Sequence, residues 1–142
     1  MSLKLSEDMI FLNLESVSKE EAIVAAGEQL VALGCADDVY IEHMLEREKI
    51  MTTYMGMGIA IPHGTNEAKE YIKKSGVVFL QYPNGVDFDG EKAYLIIGIA
   101  GKGDEHLEIL SNIAIKISDE LVDKLKATDN KADFINEFDF KE

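Results

Sequence analysis

A histidine delivered by an apolar run into a break in the chain is the arrangement in this sequence most suited to chemistry. Gly58-Ile59-Ala60-Ile61-Pro62-His63-Gly64-Thr65 places His63 at the end of a strand-like segment, where its ring is expected to be held, exposed and free to act as a nucleophile. Pro62 biases Ile61 toward extended geometry, Gly64 lets the chain turn, and Thr65 can cap a helix beginning near Glu67. An imidazole beside a helix start is well placed to carry phosphate, because free backbone N–H groups and the positive helix end favour an anion. The competing reading is a strand-end histidine that is hydrogen-bonded and inert.

His106 falls in the first turn of a helix expected after the apolar run Tyr94 to Ala100. Ligands in α/β sheets gather where strands end and helices begin. His63 and His106 both occupy such junctions, so one crevice can hold both rings; the alternative for His106 is a solvent-exposed first-turn residue. No short ligand spacing joins any pair of the three histidines, and no metal site is expected. His43 reads as an ordinary helix-surface residue. The single cysteine, Cys35, excludes an internal disulfide and a cysteine-based zinc cluster, and reads as a small buried hydrophobe. Gly56-Met57-Gly58 lacks the third glycine of a dinucleotide fingerprint, and Gly98-Ile99-Ala100-Gly101-Lys102-Gly103 lacks Walker spacing. Both read as turns, and no cofactor is expected. Arg47 lies among Glu46, Glu48 and Lys49, a charge run that reads as a solvated helix face, so the residues alone assign it no function.

With 142 residues, 46% of them hydrophobic, the chain is long enough for one domain with a proper core and too short to expect two. The balance of 27 acidic against 14 basic residues, net −13, argues against nucleic acid as a ligand. Such a surface either steers association with a basic protein or simply keeps a small domain soluble. The longest uncharged apolar stretch, Ala93 to Gly101, is far shorter than the roughly 20 residues of a membrane helix. The N-terminus has no secretory pattern, and a soluble, cytoplasmic protein is expected.

The elements that must position these residues follow from periodicity. Ile10 to Leu14 reads as a first strand. Ser18-Lys19-Glu20-Glu21 forms a capping box, followed by Ile23, Ala26, Leu30 and Leu33 at helical spacing and a stop at Gly34. Asp37 or Asp38 can cap a second helix ending near Met51, with Ile41, Met44 and Leu45 as its core stripe and Glu42, Glu46, Arg47, Glu48 and Lys49 on the wet side. A helix is expected over Glu67 to Lys73. The runs Val77 to Tyr82 and Tyr94 to Ala100 read as central strands covered on both faces, separated by turns at Pro83-Asn84-Gly85 and Asp87 to Gly90. Asp104 can cap a helix presenting Leu107, Leu110, Ala114 and Ile117, and helical patterns continue through Leu121, Val122 and Leu125, then Phe134, Ile135 and Phe138. Strands alternating with helices predict an α/β single-domain layered sandwich, a central mixed and mostly parallel sheet flanked by helices.

Arg47-Glu48-Lys49, Thr53-Tyr54, Gly56, the Ile59 to Thr65 block, Glu67-Ala68-Lys69, Gly76 to Phe79, Gln81-Tyr82-Pro83, Gly85-Val86, Ile97 to Ala100 and Glu105-His106 together resemble the fructose/mannitol/nitrogen-type enzyme IIA family of the bacterial phosphoenolpyruvate-dependent sugar phosphotransferase system. Gln81-Tyr82-Pro83 followed by Gly85-Val86 points to its mannitol branch. The likeness spans essentially the whole chain and implies that residues 1–142 form one type 2 enzyme IIA domain. It implies that His63 accepts a phosphoryl group from the phosphohistidine of HPr and passes it to a cysteine on the IIB domain of a mannitol or related transporter. His106 then matches the family's second active-site histidine and Arg47 its active-site arginine. Membrane contact is implied only through the transporter. No IIB cysteine motif or IIC segments accompany the sequence, so IIB is expected on another polypeptide. Met57 stands where relatives often carry a polar or acidic side chain, and no hydrogen bond is carried over from that position. The same resemblance leaves an alternative, a nitrogen-type regulatory module that signals by its phosphorylation state.

For such a carrier, one ring nitrogen of His63 is expected to be tied to an oxygen, leaving the other as a neutral nucleophile. Arg47 would offer a permanent positive fork to the phosphoryl oxygens, and His106 a hydrogen bond and charge. Met55 and Met57 would suit an apolar rim that adapts to two protein partners, against the competing reading that they fill gaps in the core.

Overall fold

Among residues 3–138, which a computed structural model describes, strands β1 (Ile10–Phe11), β2 (Tyr54–Gly56), β3 (Ile59–Ala60), β4 (Gly76–Phe88) and β5 (Glu91–Ala100) form one five-stranded sheet in the order β1-β4-β5-β3-β2. Helices α1 (Lys19–Ala32), α2 (Val39–Ile50), α3 (Glu105–Lys116), α4 (Asp119–Leu125) and α5 (Ala132–Glu137) cover its faces. Successive strand side chains point to opposite faces. Val78, Leu80 and Ile96 accordingly pack with Ile23, Ala26, Tyr40 and Met44 of α1 and α2. Val77, Phe79, Ile97 and Ile99 pack instead with Ile109, Ile113, Leu125 and Phe134 of α3, α4 and α5. Helices on both faces explain why the two central strands are apolar without alternation.

The sheet is mixed, as expected, but parallel pairings do not dominate it. β1 with β4 and β3 with β5 are parallel, while β2 with β3 and β4 with β5 are antiparallel. The apolar character of β4 and β5 reports coverage on both faces and carries no information about direction. Their hairpin closes at Asp89-Gly90, where both residues have positive φ, 57° and 102°, the geometry of a tight two-residue turn. Pro83-Asn84-Gly85 is not a turn: it lies inside β4, where the register shifts between Gln81 and Val86, and a proline is tolerated at such a bulge.

The capping box at Ser18 forms as expected, with Ser18 Oγ accepting the Glu21 N–H and Glu21 Oε1 accepting the Ser18 N–H. Asp38 and Asp104 precede α2 and α3 in helical conformation and make no side-chain cap. Those starts are wound instead by backbone bonds, Tyr40 N–H to Asp37 O and Glu105 N–H to Lys102 O. The segment after His63 is a 3-10 turn, Asn66–Tyr71, and Thr65 makes no side-chain cap to it.

Two helical faces differ from the periodicity reading. In α2 the buried residues are Tyr40, Met44 and Glu48, with Ile41 and Leu45 half-buried. Glu48 therefore belongs to the inner stripe rather than the wet side. In α3 the buried residues are Ile109 and Ile113, while Leu107 is 66% exposed and Ala114 is exposed. Apolar residues surround most of that helix, so two stripes satisfy the same spacing.

The direction of β3 and β5 is what assembles the site. They run parallel with Ile59 opposite Leu95 and Ala60 opposite Ile96, so their C-terminal ends leave the sheet at the same edge. Ile99 N–H then donates to Pro62 O at 2.9 Å, extending the pairing toward His63.

Candidate active site

His63, His106 and Arg47 line one open cavity of about 320 Å³. His63 arrives from the end of β3, His106 from the first turn of α3, and Arg47 from the last turn of α2. The two imidazole rings lie with centroids 5.0 Å apart and planes inclined at 55°.

His63 is 8% exposed rather than open to solvent, yet it borders the cavity. Its Nδ1 lies 2.8 Å from Ile61 O. A carbonyl oxygen can only accept, so Nδ1 carries the proton and the neutral ring keeps its lone pair on Nε2. Burial lowers the His63 pKa, the Ile61 bond raises it, Arg47 lowers it and Glu48 raises it, with a net downward shift. At neutral pH the ring is uncharged and nucleophilic.

The His106 pKa is pushed down to about 4, first by desolvation and then by His63, Lys69 and Arg47. His106 is thus neutral at pH 7 and offers a hydrogen bond to an incoming group rather than a standing charge. The standing positive charges at the cavity are Arg47 and Lys69, opposed by Glu67. The segment after Thr65 adds no helix dipole, because it is a short 3-10 turn.

The backbone around His63 is fixed by Tyr40, which sequence reasoning did not single out. Its hydroxyl donates to Ile99 O at 2.9 Å and accepts the Gly64 N–H at 2.9 Å. One side chain of α2 therefore joins the end of β5 to the His63 loop. Burial pushes the Tyr40 pKa up to about 12, with the Gly64 bond acting in the opposite direction. Gly64 is not needed for a turn, since its φ is not positive. It is needed because an added Cβ would lie 2.5 Å from Tyr40 Cε1. Gly101 serves α3 similarly, as a Cβ there would meet His106 Cα at 2.4 Å.

His43 is not an ordinary surface residue. Its Nδ1 lies 3.2 Å from Thr65 Oγ1, and its ring stacks on Tyr71 with centroids 5.5 Å apart. Arg47 Nη1 donates to Met51 O at 2.6 Å, which holds the guanidinium against the end of its own helix. Met55 and Met57 are exposed on the β2–β3 hairpin and do not line the cavity; the exposed apolar side chains that do are Ile50, 71% exposed, and Met51, 67% exposed. Among the described residues no group of three or more His, Cys, Asp or Glu side chains is arranged to hold a metal ion.

The arrangement suits transfer of an anionic group to nitrogen: one oriented lone pair, two cations and a neutral hydrogen-bonding ring within an open cavity. A family model described as "Phosphoenolpyruvate-dependent sugar phosphotransferase system, EIIA 2" matches residues 4–140. The "Mannitol-specific phosphotransferase enzyme IIA component" of Staphylococcus aureus strain Mu50 is 52% identical over 120 residues, covering 84% of this chain and 83% of that protein. The "PTS system mannitol-specific EIICBA component" of Vibrio cholerae is 43% identical over 137 residues, covering 94% of this chain and 21% of that longer protein. The solved complex of enzyme IIAMTL and phosphorylated enzyme IIBMTL from Escherichia coli matches with a TM-score of 0.90 and 39% identity, over 95% of this chain and 96% of that one.

Proposed function

The chain belongs to the EIIA 2 family of the phosphoenolpyruvate-dependent sugar phosphotransferase system, and on that premise we propose that it is a mannitol-specific phosphoryl carrier whose carrier atom is His63 Nε2. Phospho-HPr is the donor and the cysteine of a IIB domain is the acceptor. Residues 1–142 act as one type 2 IIA domain. Among the described residues no helix is long and apolar enough to cross a membrane, and in this reading the carrier works in the cytoplasm and meets the membrane through its transporter.

In the first step the Nε2 lone pair attacks phosphorus in line with the phosphohistidine of HPr. The new N–P bond forms as the donor's N–P bond breaks, and the donor imidazole recovers its electron pair. In the second step the IIB thiolate attacks the same phosphorus, an S–P bond forms, and the pair returns to Nε2. Phosphoryl transfer of this kind needs alignment and neutralisation of the equatorial oxygens, with little other chemistry. The Ile61 carbonyl holds the ring for alignment through Nδ1. Arg47 and Lys69 supply the positive charge, and Arg47 presents a planar fork that suits phosphoryl oxygens. His106 donates a ring N–H, and a dianion arriving beside it favours its protonated form.

The observation that carries this reading is the tethered Nδ1 of His63, which leaves Nε2 available in a cavity shared with Arg47, Lys69 and His106. An open site also suits a carrier that must release its cargo, since excessive stabilisation of the phosphorylated form slows the second step. The nitrogen-type regulatory alternative has no observation in the site that favours it. The test is incubation with labelled phosphoenolpyruvate, enzyme I and HPr, then with IIB. Label on the wild type that moves to IIB, and none on His63→Ala, is the expected result. Label retained by His63→Ala would overturn the assignment.

A further inference from the structure

Beneath the cavity lies a carboxylate that takes no part in the transfer described above. Glu48 is 7% exposed on the inner stripe of α2. Its Oε1 accepts both the N–H of Thr53, at 2.9 Å, and the Thr53 hydroxyl, at 2.6 Å. Its Oε2 is buried with no hydrogen-bond partner among the described residues. A buried carboxylate with an unsatisfied oxygen is costly to fold, and such groups are tolerated where they serve a site.

We propose that Glu48 is a positioning residue of the phosphoryl site, clamping Thr53 and thereby holding the His63 imidazole and the Arg47 guanidinium in working geometry. This rests on the reading of His63 as the carrier. Thr53, itself buried, is the node. Its carbonyl accepts the Ile61 N–H at 3.0 Å, and the Ile61 carbonyl in turn accepts the His63 Nδ1–H at 2.8 Å. Three consecutive hydrogen bonds thus run from the Glu48 carboxylate to the ring nitrogen that sets the tautomer. On the other side of Thr53, Met51 offers its carbonyl to Arg47 Nη1. Releasing Thr53 loosens both ends at once, and displacement of reacting groups by about an ångström is enough to slow transfer by roughly a hundredfold.

The charged and titratable groups around His63 are Tyr40, Arg47 and Glu48 from α2, Glu67 and Lys69 from the turn after Thr65, and His106 from α3. Of the two acids, only Glu48 is buried. Its influence on the His63 pKa is upward, opposing burial and Arg47.

Two variants of the full chain test the clamp. Glu48→Gln keeps a carbonyl oxygen for Thr53 and removes the charge, whereas Glu48→Ala removes both. Nitrogen-15 NMR of the unphosphorylated proteins reads the His63 tautomer, and labelling by phospho-HPr reads the transfer rate. In Glu48→Gln the Nδ1–H tautomer is expected to be retained and the rate to stay within about threefold of wild type. In Glu48→Ala the tautomer preference weakens and labelling slows by about tenfold or more in kcat, with KM for phospho-HPr little changed. Loss of the Nδ1–H tautomer in Glu48→Gln overturns the proposal, as does wild-type labelling by Glu48→Ala. If Glu48→Ala fails to fold, the Glu48→Gln tautomer decides. If the wild type itself takes no label, the carrier reading fails, and the His63 tautomer in the two variants still decides the role of Glu48.

Discussion

Replacing Tyr40 with phenylalanine removes one oxygen that joins the His63 loop to the end of β5. The hydroxyl donates to Ile99 O and accepts from Gly64 N–H, and phenylalanine fills nearly the same space. Each of those two partners is left short of one hydrogen bond. A net loss of about 2 kcal/mol is expected, within the 1–3 kcal/mol typical of unsatisfied buried groups. That corresponds to a fall in Tm of roughly 6–10 °C for a domain of this size. The deficit should also depend on pH. The folded-state pKa of Tyr40 is raised to about 12, from about 10 in an unfolded chain. A raised pKa gives stability that is complete below pH 10 and is lost as pH rises through 12. The wild type therefore loses its advantage over Tyr40→Phe between pH 10 and 12, and urea denaturation of both proteins at a series of pH values measures the gap. A gap that is absent at pH 8, or that persists undiminished at pH 12, refutes this account of the hydroxyl.

Gly64→Ala places a methyl group 2.5 Å from Tyr40 Cε1; a loss of about 1–3 kcal/mol in urea denaturation is expected, together with slower labelling by phospho-HPr. His106, whose folded pKa is lowered to about 4 from 6.5, contributes stability that is complete above pH 6.5 and is lost as pH falls through 4, because the unfolded chain binds the extra proton in that window. His106→Gln should flatten that part of the stability profile, and it should also slow labelling or delivery to IIB. Phe79 packs against Phe134 and Phe138 with centroids 5.7 and 5.0 Å away, so Phe79→Ala should lose about 3–5 kcal/mol by calorimetry or denaturant titration while leaving the rate of the folded protein near wild type.

The large features were legible because each had a local cause. The serine capping box, the two fully apolar strands and the His63 block follow from side-chain chemistry within a few residues. The meeting of His63 with His106 was accessible only through the rule that ligands collect at strand ends, and it holds because β3 and β5 run parallel as neighbours. What stayed hidden depends on contacts distant in sequence. Tyr40 and Glu48 share a stripe with Met44 at four-residue spacing, a usable signal, but the charge of Glu48 and its neighbours argued for solvent. Lys69 sits in a polar segment with no periodicity, and nothing local distinguishes it from other surface lysines. His43 looked like a surface residue because its partners, Thr65 and Tyr71, come from another segment of the chain. Pro83 read as a turn because a bulge inside a strand uses the same residue types.

The most direct test of the whole account is the site of attachment within the His63 ring. Protein labelled with nitrogen-15 and phosphorylated through HPr should show phosphorus coupled to Nε2 of His63, with Nδ1 still protonated and bonded to the Ile61 carbonyl. Phosphorus on Nδ1, or on any side chain other than His63, contradicts it.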